Sequence, residues 1–126
     1  GNAVALAVRL RELISQWSAQ TGIVATAELD EAAQLPVATA HALTRVLQES
    51  LANVYKHSAA RQVRVSLRCV AQQVQLDVAD DGHGFDLANV PSGLGLISMR
   101  ERVAALGGEL RIASCDHGTH VTVILE

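Results

Sequence analysis

Val63-Arg64-Val65-Ser66-Leu67-Arg68-Cys69 and, after a short link, Val74-Gln75-Leu76-Asp77-Val78 alternate apolar and polar side chains. A period of two is the signature of a strand that rests one face on a core and turns the other to water. The link Val70-Ala71-Gln72-Gln73 is short enough to make the two runs a hairpin. Upstream, a long helix is predicted from Pro36, a residue that helix starts tolerate, to about His57. Residues 30–36 before it read as a polar connection, and residues 23–29 as a strand. Leu6, Leu10, Leu13, Ile14 and Trp17 fall on one stripe of a first helix that ends near Thr21-Gly22. Downstream, a glycine-rich stretch, residues 80–95, leads to a helix marked by Leu96, Met99, Val103 and Leu106 and closed by Gly107-Gly108. Strands over residues 109–114 and 119–125 flank the turn Asp116-His117-Gly118. The expected class is α+β: a mostly antiparallel sheet with helices packed on one face.

The 126 residues, 49% of them hydrophobic, suit one domain with a sizeable core. Only 2% are aromatic, so the core is aliphatic and no stacking platform for bases is available. Ten basic against thirteen acidic residues leave a net charge of -3, so no global positive field collects nucleic acid or anionic lipid. An anionic ligand has to be held locally. Two cysteines, Cys69 and Cys115, are too few for a disulfide framework and point to a reducing compartment. No apolar run reaches the roughly 18 residues that cross a bilayer, and no secretory start is visible.

Four features carry polar chemistry. Glu49 and Asn53, spaced i, i+4, lie together beside the apolar face of the long helix formed by Leu43, Val46, Leu47, Ser50 and Val54. Such a pair orients water or a hard cation through oxygen. Lys56, the one lysine in the chain, and His57 follow a turn later, within reach of phosphate oxygens. Taken alone, these positions also fit a solvated helix flank. Asp80-Asp81-Gly82-His83-Gly84-Phe85 ends a strand with a carboxylate that can accept from an exocyclic amine, while Gly82 and Gly84 allow close approach to a flat base such as adenine. A plain turn has the same composition. Ser92-Gly93-Leu94-Gly95-Leu96 opens a helix whose free amides suit an anion, with triphosphate the obvious candidate. It is neither a dinucleotide fingerprint nor a Walker A string, which disfavours both common nucleotide folds. Finally, Gly118-Thr119 in the last hairpin offers a close-approach glycine followed by a hydroxyl, whereas Cys115, His117 and His120 lack the spacing of a structural zinc site.

The order is specific: Glu-xxx-Asn-xx-Lys-His, a hairpin, Asp-x-Gly-x-Gly, a short loop, Gly-Leu-Gly-Leu, a helix and Gly-Thr. Over nearly the whole chain it resembles the Bergerat-fold ATPases of the GHKL group, and within them the catalytic domain of sensor histidine kinases. Thr21-Gly22-Ile23-Val24, Val46-Leu47-Gln48-Glu49-Ser50-Leu51-Ala52-Asn53 and Met99-Arg100-Glu101-Arg102-Val103-Ala104-Ala105-Leu106-Gly107-Gly108 resemble the nitrate-sensor-like (NarX-like) subclass, with a short lid over residues 85–92. The resemblance implies a two-layer α/β sandwich with a mixed, mostly antiparallel sheet, forming one ATP-binding domain over residues 1–126.

It further implies that Asn53 coordinates Mg²⁺ on the phosphates of ATP, with Glu49 as the polar or basic partner and Lys56 and His57 near the phosphates. Asp80 would accept from the adenine amine, Gly82 and Gly84 would let base and lid pack, Gly93, Leu94, Gly95 and Leu96 would shape the phosphate end, and Thr119 would support the base. The reaction would be γ-phosphoryl transfer to a histidine on a separate dimerisation domain, with a response regulator downstream. None of His41, His57, His83, His117 and His120 is followed by an acidic residue, so the family's phosphoacceptor is expected elsewhere. The isolated domain is expected to be a cytoplasmic monomer without direct membrane contact, its parent anchored in the inner membrane or not. Two other readings share the boxes: a serine kinase of anti-sigma-factor type, and an inactive nucleotide-sensing scaffold. The Met-Arg-Glu-Arg helix argues against the first, the intact boxes against the second.

Overall fold

The computed structural model describes residues 3–86 and 95–126. In chain order the elements are β1 (Ala3–Ala5), α1 (Leu6–Thr21), β2 (Val24–Leu29), β3 (Gln34–Pro36), α2 (Val37–Asn53), a π-helical turn (Val54–Ser58), β4 (Gln62–Val70), β5 (Gln73–Asp80), α3 (Leu96–Ala104), β6 (Glu109–Cys115) and β7 (Gly118–Leu125).

The alternating runs do form the hairpin β4–β5, antiparallel from Val63 opposite Asp80 to Val70 opposite Gln73. This hairpin is the middle of a five-stranded sheet ordered β2-β4-β5-β7-β6. The β2–β4 pair is parallel, with α2 as the crossover that returns the chain to the same end of the sheet, and the remaining pairs are antiparallel. The expected mixed, mostly antiparallel sheet is therefore present.

The apolar half of the alternation decides where the helices go. Val63, Val65, Leu67, Leu76, Val78, Val121, Val123 and Leu125 join Leu6, Leu10 and Ile14 of α1, Leu43, Val46, Leu47 and Leu51 of α2, and Met99 and Val103 of α3 in one buried cluster. Truncating a fully buried member such as Leu47 to alanine is expected to cost about 2–5 kcal/mol. The polar half of the alternation stays outside: Arg64 and Arg68 are exposed, and Asp77 lies on that same open face. There the Asp77 carboxylate accepts from Gln75 Nε2 and Thr122 Oγ1, each at 2.9 Å, and His120 Nε2 lies 2.9 Å from it.

Helix ends follow local chemistry. Gly22 closes α1 with φ 76° and donates its N–H to the Ser18 carbonyl. α3 ends at Ala104, two residues before Leu106, the last position of the predicted stripe; the N–H groups of Leu106 and Gly108 both turn back to the Val103 carbonyl. Gly107 takes φ 74° there, as a left-handed cap requires.

Two expectations need correction. Residues 34–36, read as part of a polar connection, form β3, which pairs antiparallel with β1 in a separate two-stranded sheet. Correspondingly, a short strand precedes the first helical pattern. Three-residue strands show no period, and each exists only because the other supplies its ladder. The long helix also does not run as a plain α-helix to His57, since its last turn widens over Val54–Ser58.

Candidate functional site

The widened turn builds one wall of a cleft. An i→i+5 turn inserts an extra residue into a helix and is frequent at functional sites. Here Ser50, Asn53, Val54, His57 and Ser58 all border the same narrow cleft. The turn is held by the Ser58 hydroxyl, which donates to the Val54 carbonyl at 2.7 Å and accepts from Ala60 N–H at 3.2 Å. Ala59 then leaves the helix at φ 54°.

The opposite wall is the end of β5 and the loop after it. Asp80 sits on the same strand face as Leu76 and Val78, so its carboxylate reaches the cleft that Val78 and Val121 floor. Its Oδ1 accepts from Gly82 N–H at 2.9 Å. Asp81 points the other way and accepts from the N–H groups of Arg61 and Gln62 at 2.8 and 3.0 Å, which ties the loop to the start of β4. The Ser58 carbonyl accepts from His83 N–H at 2.9 Å, joining the two walls. A side chain at Gly82 would collide with that carbonyl, and one at Gly84, where φ is 70°, would collide with the carbonyl of Cys115. Both glycines are required by close backbone approach rather than by flexibility.

The third side is the β6–β7 hairpin. Thr119 borders the cleft, its backbone N–H bonds the Asp80 carboxylate, and its hydroxyl lies 2.9 Å from Ser114 Oγ. Burial pushes the Asp80 carboxyl above the usual carboxylate range; the N–H groups of Gly82 and Thr119 offset this only in part. A carboxylate offers about four lone-pair positions, so two amides leave capacity for a donor from a ligand. A cleft with apolar walls and a partly desolvated carboxylate directed into it suits a flat, amine-bearing ring.

The predicted site residues divide as follows. Asn53, His57, Asp80, Gly84, Leu96 and Thr119 border one cleft, and Gly82 is buried behind it against Ser58. Glu49 is one turn further back, its Oε1 3.4 Å from Arg45 Nη2 and its carboxylate against Gly95, at the mouth of α3. Lys56 is exposed on the π-helical turn and does not border the cleft. Gly93, Leu94 and the 87–92 part of the expected lid lie outside the described residues. Cys115, His117 and His120 do not converge: the His117 N–H turns to Cys115 Sγ at 3.4 Å, while His120 meets Asp77 on the open face. Sequence reasoning gave Ser58 and Ser114 no role. The available signal was modest, a small hydroxyl residue directly after Lys56-His57 and another directly before Cys115 at the hairpin turn.

Residues 38–126 match the family model described as histidine kinase-, DNA gyrase B- and HSP90-like ATPase. The chain belongs to that ATPase family. It is similar to the signal transduction histidine-protein kinase/phosphatase UhpB of Salmonella typhimurium, with 40% identity over 95% of this chain and 24% of the relative. It is also similar to the sensor histidine kinase LiaS of Bacillus subtilis, with 41% identity over 64% of this chain and 23% of the relative. The chain thus spans about a quarter of the length of these curated relatives. Among solved structures, the histidine kinase domain of the blue-light activated kinase EL346 from Erythrobacter litoralis superposes with a TM-score of 0.85 at 23% identity, covering 99% of this chain and 62% of that one. The catalytic domain of histidine kinase ThkA gives 0.81 at 16% identity, covering 98% and 92%. These two likenesses show the fold, a GHKL-type two-layer arrangement of sheet and helices.

Proposed function

We propose that the chain is one ATP-binding catalytic domain of a two-component sensor histidine kinase, of the nitrate-sensor-like subclass, and that it supplies the γ-phosphoryl group to a histidine on a separate dimerisation domain. The observation that carries this is the half-buried Asp80 carboxylate, directed into a mostly apolar cleft that Asn53 and His57 also border. Similarity to UhpB and LiaS, both named as histidine kinases, supports the phosphoryl-transfer part of the reading.

In this reading Asp80 accepts from the adenine amine, Thr119 braces the base, and Gly82 and Gly84 keep the loop close enough for both. Val54, Val78, Leu96 and Val121 exclude water from the ring faces. Asn53 turns its amide toward the phosphates and His57 donates to them, while Lys56, exposed on the same turn outside the cleft, contributes positive charge only at longer range. Glu49, beside Gly95, orients the phosphate end, and Gly93, Leu94 and Leu96 shape it. No group of three or more His, Cys, Asp or Glu among the described residues forms a protein cage for a metal. The donor set instead fits a hard cation carried in on the phosphates and met by the Asn53 oxygen. Bound there, Mg²⁺ would neutralise phosphate charge in a domain of net charge -3. Transfer breaks the bond from the γ-phosphorus to the bridging oxygen and forms one to the imidazole nitrogen, with ADP leaving; positioning supplies most of the catalysis.

The partners are then ATP, the dimerisation domain and, indirectly, a response regulator. Use of ATP implies work in the cytoplasm, and among the described residues no helix is long and apolar enough to cross a membrane. Calorimetric titration of this chain with a non-hydrolysable ATP analogue, with and without Mg²⁺ and alongside a GTP analogue, tests the reading. Adenine-selective binding supports it; no binding by the folded chain overturns it. In a chain that includes the phosphoacceptor domain, Asn53→Ala is expected to abolish Mg²⁺-dependent phosphoryl transfer, and retained transfer would remove the metal role assigned to Asn53.

A further inference from the structure

Ser114 lies one residue before the end of β6 and does not itself border the cleft. Its hydroxyl nevertheless touches two residues that do. Ser114 Oγ accepts from Phe85 N–H at 2.8 Å and lies 2.9 Å from Thr119 Oγ1, its ladder partner in β7. Contact with the loop is possible only because residue 84 is glycine: a side chain there would run into Ser114 Oγ and the Cys115 carbonyl.

The proton count allows the pair two directions, one of which serves the cleft. A serine hydroxyl has one proton and two lone pairs. Phe85 uses one lone pair of Ser114; in the Ser114–Thr119 contact either hydroxyl can be the donor, and in one of the two arrangements Ser114 gives its proton to Thr119 Oγ1. In that arrangement the Thr119 proton is released from Ser114 and can point into the cleft that Thr119 borders beside Asp80. The cleft then presents a donor next to an acceptor, the complement of an amine next to a ring nitrogen.

We propose that Ser114 is a positioning residue for base recognition: it anchors Phe85 and aims the Thr119 hydroxyl proton into the cleft, so that the site prefers a 6-aminopurine over a 6-oxopurine. This rests on the reading of the cleft as a nucleotide site and assigns a determinant of its selectivity. Asp80 supplies the acceptor whatever happens at residue 114, so the contribution of Ser114 is separable from that of Asp80.

The test compares the wild-type chain with Ser114→Ala and Ser114→Thr. Affinities for a non-hydrolysable ATP analogue and its inosine counterpart are measured by displacement of a fluorescent adenine nucleotide, together with thermal melting and amide exchange at Phe85. Ser114→Ala is expected to weaken the adenine nucleotide about tenfold, the scale of one or two lost hydrogen bonds. The adenine-to-hypoxanthine ratio should narrow and the Phe85 amide should exchange faster, while Ser114→Thr, which keeps the hydroxyl, restores both. An unchanged ratio in Ser114→Ala overturns the proposal, as does an equal weakening of both nucleotides that tracks a lower melting temperature. If Ser114→Ala does not fold, Thr119→Val carries the test: it removes the aimed proton with Ser114 in place, and an unchanged ratio again overturns the proposal. Failure of the wild-type chain to bind the ATP analogue is seen before any variant is compared; it removes the nucleotide reading and this inference with it.

Discussion

Asp77 and Asp80 stand three residues apart on β5, face opposite sides of the sheet, and have their carboxyls shifted in opposite directions. Burial alone would raise Asp77, but hydrogen bonds from Gln75, Thr122 and His120, with the charge of His120, outweigh it and hold the carboxyl below its usual value. Burial raises Asp80 as well, and there two backbone N–H groups are too little to reverse it. One carboxylate is satisfied by the side chains of its own sheet face, and the other is left with acceptor capacity directed into a cleft. A carboxylate desolvated in a cleft with acceptor capacity to spare is a candidate for contact with a ligand. The open face has matched polar neighbours because strand alternation supplies them; the inner face has none to offer, so Asp80 depends on backbone amides.

The largest effect expected on this contrast comes from the scaffold of the inner site. Gly84→Ala forces a side chain onto the Cys115 carbonyl at a φ of 70°. Urea denaturation should show a loss of about 2–4 kcal/mol, the range for backbone strain combined with overpacking. Stability equal to wild type would mean that the loop does not need this close approach.

Next, Asp80→Asn should cost nucleotide affinity roughly 10- to 100-fold, the value of one charge-assisted hydrogen bond, without lowering the melting temperature. Asp77→Asn should do the reverse. It should lose about 1–2 kcal/mol of stability as the side-chain donors around it lose a charged acceptor, while nucleotide affinity by calorimetry stays within about twofold. If both variants lost stability alone, or both lost affinity alone, the functional division of the two faces would be wrong.

The smallest effect is in pH dependence. Asp77 titrates lower in the folded chain than its ordinary 3.8, so its stabilisation is complete above that pH and disappears as pH falls through the folded value. Asp80 titrates above 3.8 when folded, so its charge penalises folding at neutral pH, and that penalty fades as pH falls through the raised folded value toward 3.8. Melting curves between neutral and strongly acidic pH should therefore show Asp77→Asn converging on wild type only at the acid end. Any stability gain of Asp80→Asn should shrink first, at higher pH. The opposite order would reverse the electrostatic assignment of the two residues.

Both carboxylates were visible in the chain, but their different situations were not equally legible. The alternation Val74-Gln75-Leu76-Asp77-Val78 assigns Asp77 to the wet face, and two further residues along, Asp80 falls on the face of Leu76 and Val78. That reading needs only the fixed period of a strand. The order of the boxes likewise led to Asn53, His57, Asp80, Gly84, Leu96 and Thr119, which the fold brings to one cleft. Lys56 showed the limit of spacing. On an ideal helix it follows Asn53 by three residues, yet the widened turn carries it to the surface and brings His57 and Ser58 inward. Whether a helix end widens depends on what its last carbonyls meet, here the Ser58 hydroxyl and the loop that begins at Gly82.

By itself, then, the sequence determined what depends on near neighbours along the chain. Strand faces, helix stripes, the left-handed caps at Gly22 and Gly107, and the apolar surface that draws all three helices to one side of the sheet follow from periods of two and 3.6 and from glycine's freedom at positive φ. Tertiary structure decided what depends on distant partners. The β1–β3 pair joins residues about thirty positions apart, the Ser58 carbonyl meets His83, and Ser114 reaches both Phe85 and Thr119. Such hydrogen bonds have no period to betray them, because the partner is chosen by the folded path of the chain, and it is these bonds that hold the walls of the cleft together.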